Sequence, residues 1–347
     1  PFDRSRPLWE YVIVDGLDGG RGALIQKMHH TIGDGEAGVR LSLQFLDRKR
    51  NDPEPPPLEA PPRVEAPPAD RFDGLRDLLL NSFKLPLGMA RQAMELATRP
   101  ARIPEATAAT VSSMKGLVTT LSDTSKARSP LWTERSMRRH LETLRAPLEP
   151  TKVAAKAMGG TLNGAFLAAA AAAAGAYHRE LGTPVDSLRA SMAISTRTSS
   201  SGANAFSLAR MEVPTGEMPM RDRLQAITAA TQGARQTSGS ASMELLATVA
   251  ASLPVSVVAR IAKAEAQTID FATSNVRGAP MPLYLAGAKI LENYPIGPLA
   301  GVAFNLTLLS YNGSLDMGLH VDPAAITEPA LLTRLMEDAF VEMRDSV

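Results

Sequence analysis

Two of the five histidines in this 347-residue chain, His29 and His30, stand side by side at the end of an apolar run. Asp34 and Gly35 follow shortly after them. An imidazole can take a proton from an attacking hydroxyl group, which is unreactive at neutral pH without a base. The spacing therefore indicates acyl transfer to a hydroxyl, with His30 as the general base, His29 beside it, and Asp34 orienting the ring or anchoring the loop.

The same residues allow two other interpretations. A pair of histidines is the start of a metal site, but such a site needs a third ligand, and no zinc-type spacing occurs in the sequence. A buried histidine with Asp34 as a plain helix cap is the second interpretation. The residue types alone leave the catalytic and the structural interpretations open.

Two asparagines are further candidates for binding groups. Asn163 lies in the first turn of a predicted helix, where amide dipoles favour anions, so its side chain can hold a thioester carbonyl or its oxyanion. Asn275 follows a predicted strand and precedes a Gly/Pro loop, a common setting for binding groups. A satisfied helix-end residue and ordinary turn chemistry are the alternative explanations.

The remaining histidines, His140, His178 and His320, each stand alone. His178 lies beside Arg179 and Glu180 in a predicted helix, and we expect it to be solvated. No Gly-x-Ser-x-Gly elbow, phosphate-binding loop or dinucleotide fingerprint occurs in the sequence. Serine hydrolysis and nucleotide chemistry are therefore disfavoured.

The composition is that of a soluble globular protein with a large core, with 44% hydrophobic and 21% charged residues. A net charge of +1 gives no electrostatic case for a nucleic-acid partner. The absence of cysteine excludes disulfides, thiolate metal sites and cysteine nucleophiles, and fits a cytoplasmic location. The most apolar run, 164–177, is shorter than the about 20 residues that cross a bilayer, so any membrane contact is expected to be peripheral.

The elements that position the histidines follow from hydrophobic spacing. A strand over 9–17, a turn at Asp18-Gly19-Gly20 and a returning strand over 23–28 predict a hairpin that delivers His29 and His30. A helix begins at Gly35, so Asp34 is close to its start, where its carboxylate can cap N–H groups.

The rest of the chain mixes helices and strands. Eight prolines between Pro53 and Pro68 predict an extended linker, and 70–128 is predicted to form broken helices, packed over the domain junction or facing lipid. Further helices are predicted over 152–158, 162–181 (with Thr161 as N-cap), 219–236, 243–266 and 328–343, and further strands over 188–196, 204–213, 269–275, 284–291, 302–310 and 314–321. Such a mixture predicts an α/β or α+β protein.

Taken together, several motifs resemble one family, the bacterial wax ester synthase/diacylglycerol acyltransferases of the chloramphenicol acetyltransferase-like superfamily. Pro7-Leu8-Trp9 and His29-His30-Thr31-Ile32-Gly33-Asp34-Gly35 are similar to its Pro-Leu-Trp and His-His-x-x-x-Asp-Gly motifs. Residues 162–168 resemble its Leu-Asn-Asp helix, and 274–280 its Asn-Val-Pro-Gly-Pro loop. The stretches 283–288 and 308–315 continue the resemblance, and the order of the motifs is more specific than the histidine motif alone.

The resemblance implies a fold and a domain organisation. We expect two chloramphenicol acetyltransferase-like α/β domains with mixed sheets, joined by the proline-rich linker, with an active-site channel between them. Residues 1–50 would be the C-terminal part of the first domain, whose upstream portion is missing; 51–128 the linker and crossover helices; and 129–347 the second domain.

The resemblance also implies an activity. His30 would deprotonate diacylglycerol or a long-chain alcohol for attack on an acyl-CoA thioester, His29 would support the loop, and Asp34 would hold its shape. Asn163, Asn275 and Gly35 are the expected substrate-binding or oxyanion residues. No metal or bound cofactor is required, because acyl-CoA is a co-substrate. Expected partners are acyl-CoA, the hydroxyl-bearing lipid, a separate N-terminal segment of the same protein, and the inner membrane or lipid droplets in peripheral contact, with a cytoplasmic location.

Two departures from the family pattern are visible. Asn163-Gly164 stands where the family has Asn-Asp, and Arg277 stands where it has a proline, which places a charge beside the predicted pocket. These departures keep two alternatives open: a non-catalytic lipid-binding paralogue, and condensation-type acyl transfer from a carrier protein.

Overall fold

The computed structural model describes residues 2–3, 5–53, 127–195, 206–238 and 266–347. The strands in these ranges are β1 (Trp9–Leu17), β2 (Arg21–Met28), β3 (His140–Pro147), β4 (Ser187–Ser195), β5 (Phe206–Pro214), β6 (Phe271–Arg277), β7 (Tyr284–Leu285), β8 (Ala288–Lys289), β9 (Phe304–Tyr311) and β10 (Ser314–Val321). The helices are α1 (Gly35–Ser42), α2 (Leu148–Ala157), α3 (Leu162–Glu180), α4 (Met220–Ser238) and α5 (Pro329–Asp345).

A six-stranded mixed sheet forms the centre of the described structure, in the order β3-β10-β9-β6-β4-β5. The pairs β4–β6 and β6–β9 are parallel, and the other pairs are antiparallel. β9 and β10 are almost continuously buried, as expected for strands covered on both faces. Asn312 and Gly313, at φ 44° and 84°, form the predicted tight turn between them. The predicted α/β class is confirmed.

The alanine-rich helix α3 lies in the core and contacts α4 and α5. Its side chains from Gly164 to Ala174 are all buried. The predicted N-cap is confirmed, because the Thr161 hydroxyl accepts a 3.1 Å hydrogen bond from the backbone N–H of Gly164. A Cβ atom at Gly175 would overlap the carbonyl oxygen of Thr215, so the helix packs at a distance that only small residues permit.

Among the described helices, none is by itself both long and apolar enough to cross a membrane. α2 and α3 reach that length and composition only when taken as a pair, and the chain bends by 93° at the break between them.

The hairpin β1–β2 is a separate two-stranded sheet, and α1 follows it directly. This part of the chain is joined to the small β7–β8 sheet by an isolated β-bridge between Asp47, which follows α1, and Tyr284 on β7. The N–H of Asp47 donates to the carbonyl of Tyr284 at 2.8 Å, and the reverse bond is 2.9 Å. Arg50 adds a 3.0 Å side-chain bond to the carbonyl of Gly287. We call this contact the 47–284 bridge.

Two sequence-based predictions of strands are wrong. β3 was not predicted, and the single strand over 284–291 is two short strands, β7 and β8, joined by Ala286 and Gly287 at φ 47° and 78°. The prolines from 55 to 68, the helices over 70–126 and most of the helix over 243–266 lie outside the described residues. Nothing in the structure tests the predicted domain boundaries, which stay a prediction.

His178 is fully buried, so the prediction that it is solvated is wrong. Its Nδ1 lies 2.7 Å from the carbonyl oxygen of Ala174, and its Nε2 lies 2.8 Å from the hydroxyl of Ser129. Because a carbonyl only accepts, Nδ1 carries the proton and Ser129 donates to Nε2. Burial lowers the pKa of His178, because it disfavours the charged imidazolium relative to the neutral imidazole.

Candidate active site

An open cleft of about 530 Å³ lies between the β2–α1 segment and the six-stranded sheet. One wall comes from the loop after β2, from α1 and from the segment that follows it. The other comes from β4, the end of β6 and the loop after it. The lining residues are His30, Asp34, Gly35, Glu36, Val39, Arg40, Leu43, Arg48, Ala193, Ser274, Asn275, Val276, Arg277, Gly278, Ala279, Pro280, Met281 and Leu283. Four of the six predicted site residues therefore meet in one cleft.

The two adjacent histidines occupy different environments. His30 lines the cleft. His29 faces its own loop: its Nδ1 lies 2.8 Å from the hydroxyl of Thr31 and accepts a 3.2 Å bond from the Thr31 N–H. Its ring also meets Phe2 edge-on, with centroids 5.9 Å apart. His30 therefore faces the cleft and His29 contacts its own loop, and the expected division of roles between them stays a prediction.

The loop begins where β2 ends, and the Pro-Leu-Trp motif holds it there. The N–H of His29 donates to the carbonyl of Leu8 at 2.9 Å, one residue past the last β1–β2 pair. The N–H of Ile32 then donates to the carbonyl of His29, also at 2.9 Å. The strand pairing therefore fixes the backbone on which His30 is carried.

Asp34 is the N-cap of α1. Its carboxylate accepts a 3.0 Å hydrogen bond from the N–H of Ala37, and its side chain is 9% exposed. A carboxylate is favourable there because the helix dipole places partial positive charge at the N-terminus. The expectation that Asp34 caps this helix is confirmed, and its expected role in holding the shape of the loop stays a prediction.

Gly35 brings the two walls of the cleft together. A Cβ atom at this position would lie 2.7 Å from Cγ2 of Val276, a distance that real Cβ atoms essentially never show. Val276 follows Asn275 directly on β6. The start of α1 therefore rests on the end of β6 at a separation that glycine allows.

Asn163 and Asn275 meet, although they are 112 positions apart. Nδ2 of Asn275 donates a 2.5 Å hydrogen bond to Oδ1 of Asn163, which lies in the first turn of α3. A primary amide has two N–H donors, so this bond engages one N–H of Asn275 and leaves the second. Asn275 lines the cleft, and Asn163 contacts it from the first turn of α3.

Several residues that line the cleft carry no functional signal in the sequence. Val39, Leu43, Met281 and Leu283 give the cleft apolar walls, but nothing distinguishes them in the sequence from ordinary core residues. Arg48 belongs to no motif. Arg277 was expected beside the pocket, and it lines the cleft.

No three His, Asp or Glu side chains within the described ranges are grouped closely enough to hold one metal ion. The prediction that the reaction requires no metal stays a prediction.

The chain matches two family models. The wax ester synthase/diacylglycerol acyltransferase catalytic domain matches residues 1–166, and the WS/DGAT C-terminal domain matches residues 202–344. A Mycobacterium tuberculosis H37Rv protein that bears the name diacylglycerol O-acyltransferase is 30% identical over 349 residues, which cover 99% of this chain and 70% of that protein. The chain belongs to the wax ester synthase/diacylglycerol acyltransferase family. It is an acyltransferase.

Solved structures agree with the fold. The wax ester synthase/diacylglycerol acyltransferase from Marinobacter aquaeolei VT8 superposes with a TM-score of 0.63 at 21% identity, covering 98% of this chain and 72% of that one. The EpoB cyclization-docking bidomain from Sorangium cellulosum superposes with a TM-score of 0.53 at 15% identity, covering 99% of this chain and 64% of that one. Both of these structures share the fold of this chain.

Proposed function

We propose that this chain transfers a long-chain acyl group from acyl-CoA to the hydroxyl of diacylglycerol or of a long-chain alcohol, forming triacylglycerol or a wax ester. The observation that carries the proposal is the shared cleft, which His30 lines from one wall and Asn275 from the other. A base and an amide donor on opposite walls suit a reaction in which a hydroxyl is deprotonated and an oxyanion forms.

His30 acts first as base and then as acid. It takes the proton from the acceptor hydroxyl while the hydroxyl oxygen attacks the thioester carbonyl carbon. The carbonyl electron pair moves to oxygen, and the resulting oxyanion accepts the N–H of Asn275 that is not bonded to Asn163. When the tetrahedral species collapses, the C–S bond breaks and His30 returns the proton to the thiolate. The products are an ester and free CoA, so no bound cofactor or metal is needed.

The other predicted site residues shape the cleft. His29 braces the loop through Thr31, and Asp34 fixes the start of α1. Gly35 lets α1 approach β6. None of these three residues takes up or releases a proton during the proposed reaction.

The test is release of CoA thiol from a panel of acyl-CoAs in the presence of diacylglycerol or long-chain alcohols. We expect His30→Ala to lower kcat by about 10²–10⁴-fold, the usual contribution of a general base. His140→Ala is the matched control, because His140 is exposed and lies outside the cleft. Full activity of His30→Ala with an unchanged fold would overturn this mechanism.

Two other outcomes of the same assay identify the alternatives. Binding of acyl chains with no thiol release from any donor would indicate a lipid-binding paralogue. Release only from a phosphopantetheine carrier protein, and not from free acyl-CoA, would indicate condensation-type transfer.

We propose further that the enzyme reaches its acceptors from the cytoplasm, in peripheral contact with the inner membrane or with lipid droplets, because both acceptors are water-insoluble lipids. Flotation of the purified protein with lipid-droplet emulsions tests this location. Protein that stays in the aqueous fraction at every lipid concentration would contradict it.

A further inference from the structure

Some of the charged side chains that line the cleft form ion pairs or hydrogen bonds within the described ranges, and two arginine side chains do not. Glu36 and Arg40 form an ion pair at 2.7 Å on α1, and the Asp34 carboxylate caps that helix. The guanidinium groups of Arg48 and Arg277 make no hydrogen bond or ion pair with any part of the chain that the structure describes. Arg48 uses only its backbone N–H, which donates to Asp52 at 2.9 Å.

The two arginines reach the cleft from opposite walls. Arg48 lies on the segment after α1, and Arg277 is the last residue of β6, next to Val276 and Asn275. Both are exposed. The backbone around Arg277 is fixed, because the N–H of Gly278 donates to the hydroxyl of Ser310 at 3.3 Å and Ala279 accepts from Asn312 at 2.9 Å. An unpaired cation therefore faces the cleft from each side.

We infer that Arg48 and Arg277 together bind the phosphate groups of the acyl donor. Guanidinium groups bind phosphate oxygens through paired, charge-assisted hydrogen bonds. The proposed acceptors, diacylglycerol and long-chain alcohols, carry no charge, whereas coenzyme A carries several phosphates at the far end of its pantetheine arm from the thiol. The two arginines therefore mark the part of the cleft where the phosphates of the acyl donor bind. This inference rests on the proposed function.

The experiment measures the binding of coenzyme A and of pantetheine, which lacks the phosphates, by titration calorimetry. Coenzyme A alone is not turned over, so the readout is independent of activity. We expect Arg48→Leu and Arg277→Leu each to raise the Kd for coenzyme A about tenfold, the size of a lost charge-assisted contact at a partly exposed site. The Kd for pantetheine should stay the same. Because both side chains are exposed, neither substitution should change the unfolding temperature.

Arg138→Leu is the matched control, since Arg138 is an exposed arginine outside the cleft and its loss changes the net charge equally. It should leave both affinities unchanged. If Arg138→Leu weakens coenzyme A binding as much as Arg277→Leu does, overall charge is responsible and the inference is overturned.

Phospholipid headgroups offer the same chemistry, so a third measurement uses vesicles of phosphatidylcholine with and without phosphatidylglycerol. Loss of vesicle binding in the two cleft variants, with unchanged affinity for coenzyme A, would overturn the inference in favour of a lipid headgroup. Equal coenzyme A binding by all variants would overturn the inference and leave the proposed function intact. Failure of the unsubstituted chain to bind coenzyme A would overturn the proposed donor itself.

Discussion

The side-chain amide of Asn275 donates a 2.5 Å hydrogen bond to the side-chain carbonyl of Asn163. This bond joins the end of a central strand of the sheet to the first turn of the buried helix α3. It fixes the rotation of the Asn275 amide, and with it the direction of its second N–H.

Asn275→Ala should lower kcat by about 10²–10³-fold, the cost of removing one oxyanion donor. Asn163→Ala should lower kcat by a smaller factor, because it acts only through the orientation of Asn275. The measurement is a double-mutant cycle on kcat with acyl-CoA in excess. The double variant should be no slower than Asn275→Ala alone. Fully additive losses would show that the two amides act independently.

Asp34→Ala should destabilise the loop and lower activity, because it removes the N-cap of α1, a loss of about 1 kcal/mol. Asp34→Ser retains an oxygen that can accept from Ala37 and should recover most of both stability and kcat. Urea unfolding and the thiol-release assay measure the two effects. If Asp34→Ser is as inactive as the alanine variant, the carboxylate has a role beyond capping.

Gly35→Ala should displace α1 from β6, because the added methyl group would overlap the stiff side chain of Val276. We expect a several-fold fall in kcat with little change in overall helix content. The double variant Gly35→Ala with Val276→Ala should recover part of the loss. Gly38→Ala on the same helix is the control, since its Cβ would meet only Met28 Cε, at an ordinary 3.9 Å. Unchanged kinetics in Gly35→Ala would mean that this close contact does not set the geometry of the cleft.

The stability of the protein should fall as pH drops below about 6.5. Burial lowers the pKa of His178 from its ordinary value of 6.5, so in that pH range the unfolded chain takes up a proton that the folded chain does not. The free energy of unfolding should then decrease by up to about 1.4 kcal/mol per pH unit for this histidine. The loss ends where folded His178 itself becomes protonated, and above pH 6.5 the effect disappears.

Denaturant unfolding at a series of pH values measures this slope, and His178→Gln should reduce it. Part of the slope should remain, because burial lowers the pKa of His320 as well. His140→Gln is the control, since His140 is exposed. A slope unchanged by His178→Gln would contradict the assignment.

The hairpin and α1 were predictable because local chemistry specifies them. Asp18-Gly19-Gly20 favours a turn, and Asp34 before a helical hydrophobic pattern marks an N-cap, so β1, β2 and α1 follow from neighbouring residues. β3 escaped prediction because its residue types do not follow its alternating burial: Leu141 is exposed, whereas the charged Glu142 is partly buried. Ala286-Gly287 lacks the Asn or Asp that usually marks a two-residue turn, so β7 and β8 merged into one predicted strand.

The individual residues of the site could be predicted from the sequence, but their arrangement in space could not. Asn163 and Asn275 each stood out by their place at a helix start and a strand end. Their contact depends on β6 pairing in parallel with both β4 and β9, which is a non-local property of the sheet. His178 was misjudged because its charged neighbours in sequence, Arg179 and Glu180, suggested an exposed helix face. Arg48 belongs to no motif, and only the folded chain places it in the cleft.

The 47–284 bridge has a consequence for substrate choice. The main-chain bonds between Asp47 and Tyr284 join the two walls of the cleft directly beside the lining residues Arg48 and Leu283. A change in the chain beside the bridge would therefore move one wall of the cleft against the other without altering His30 or Asn275. Lengthening or shortening the connections near the bridge should change which acyl chains and alcohols fit, while proton transfer and oxyanion binding keep their own local geometry.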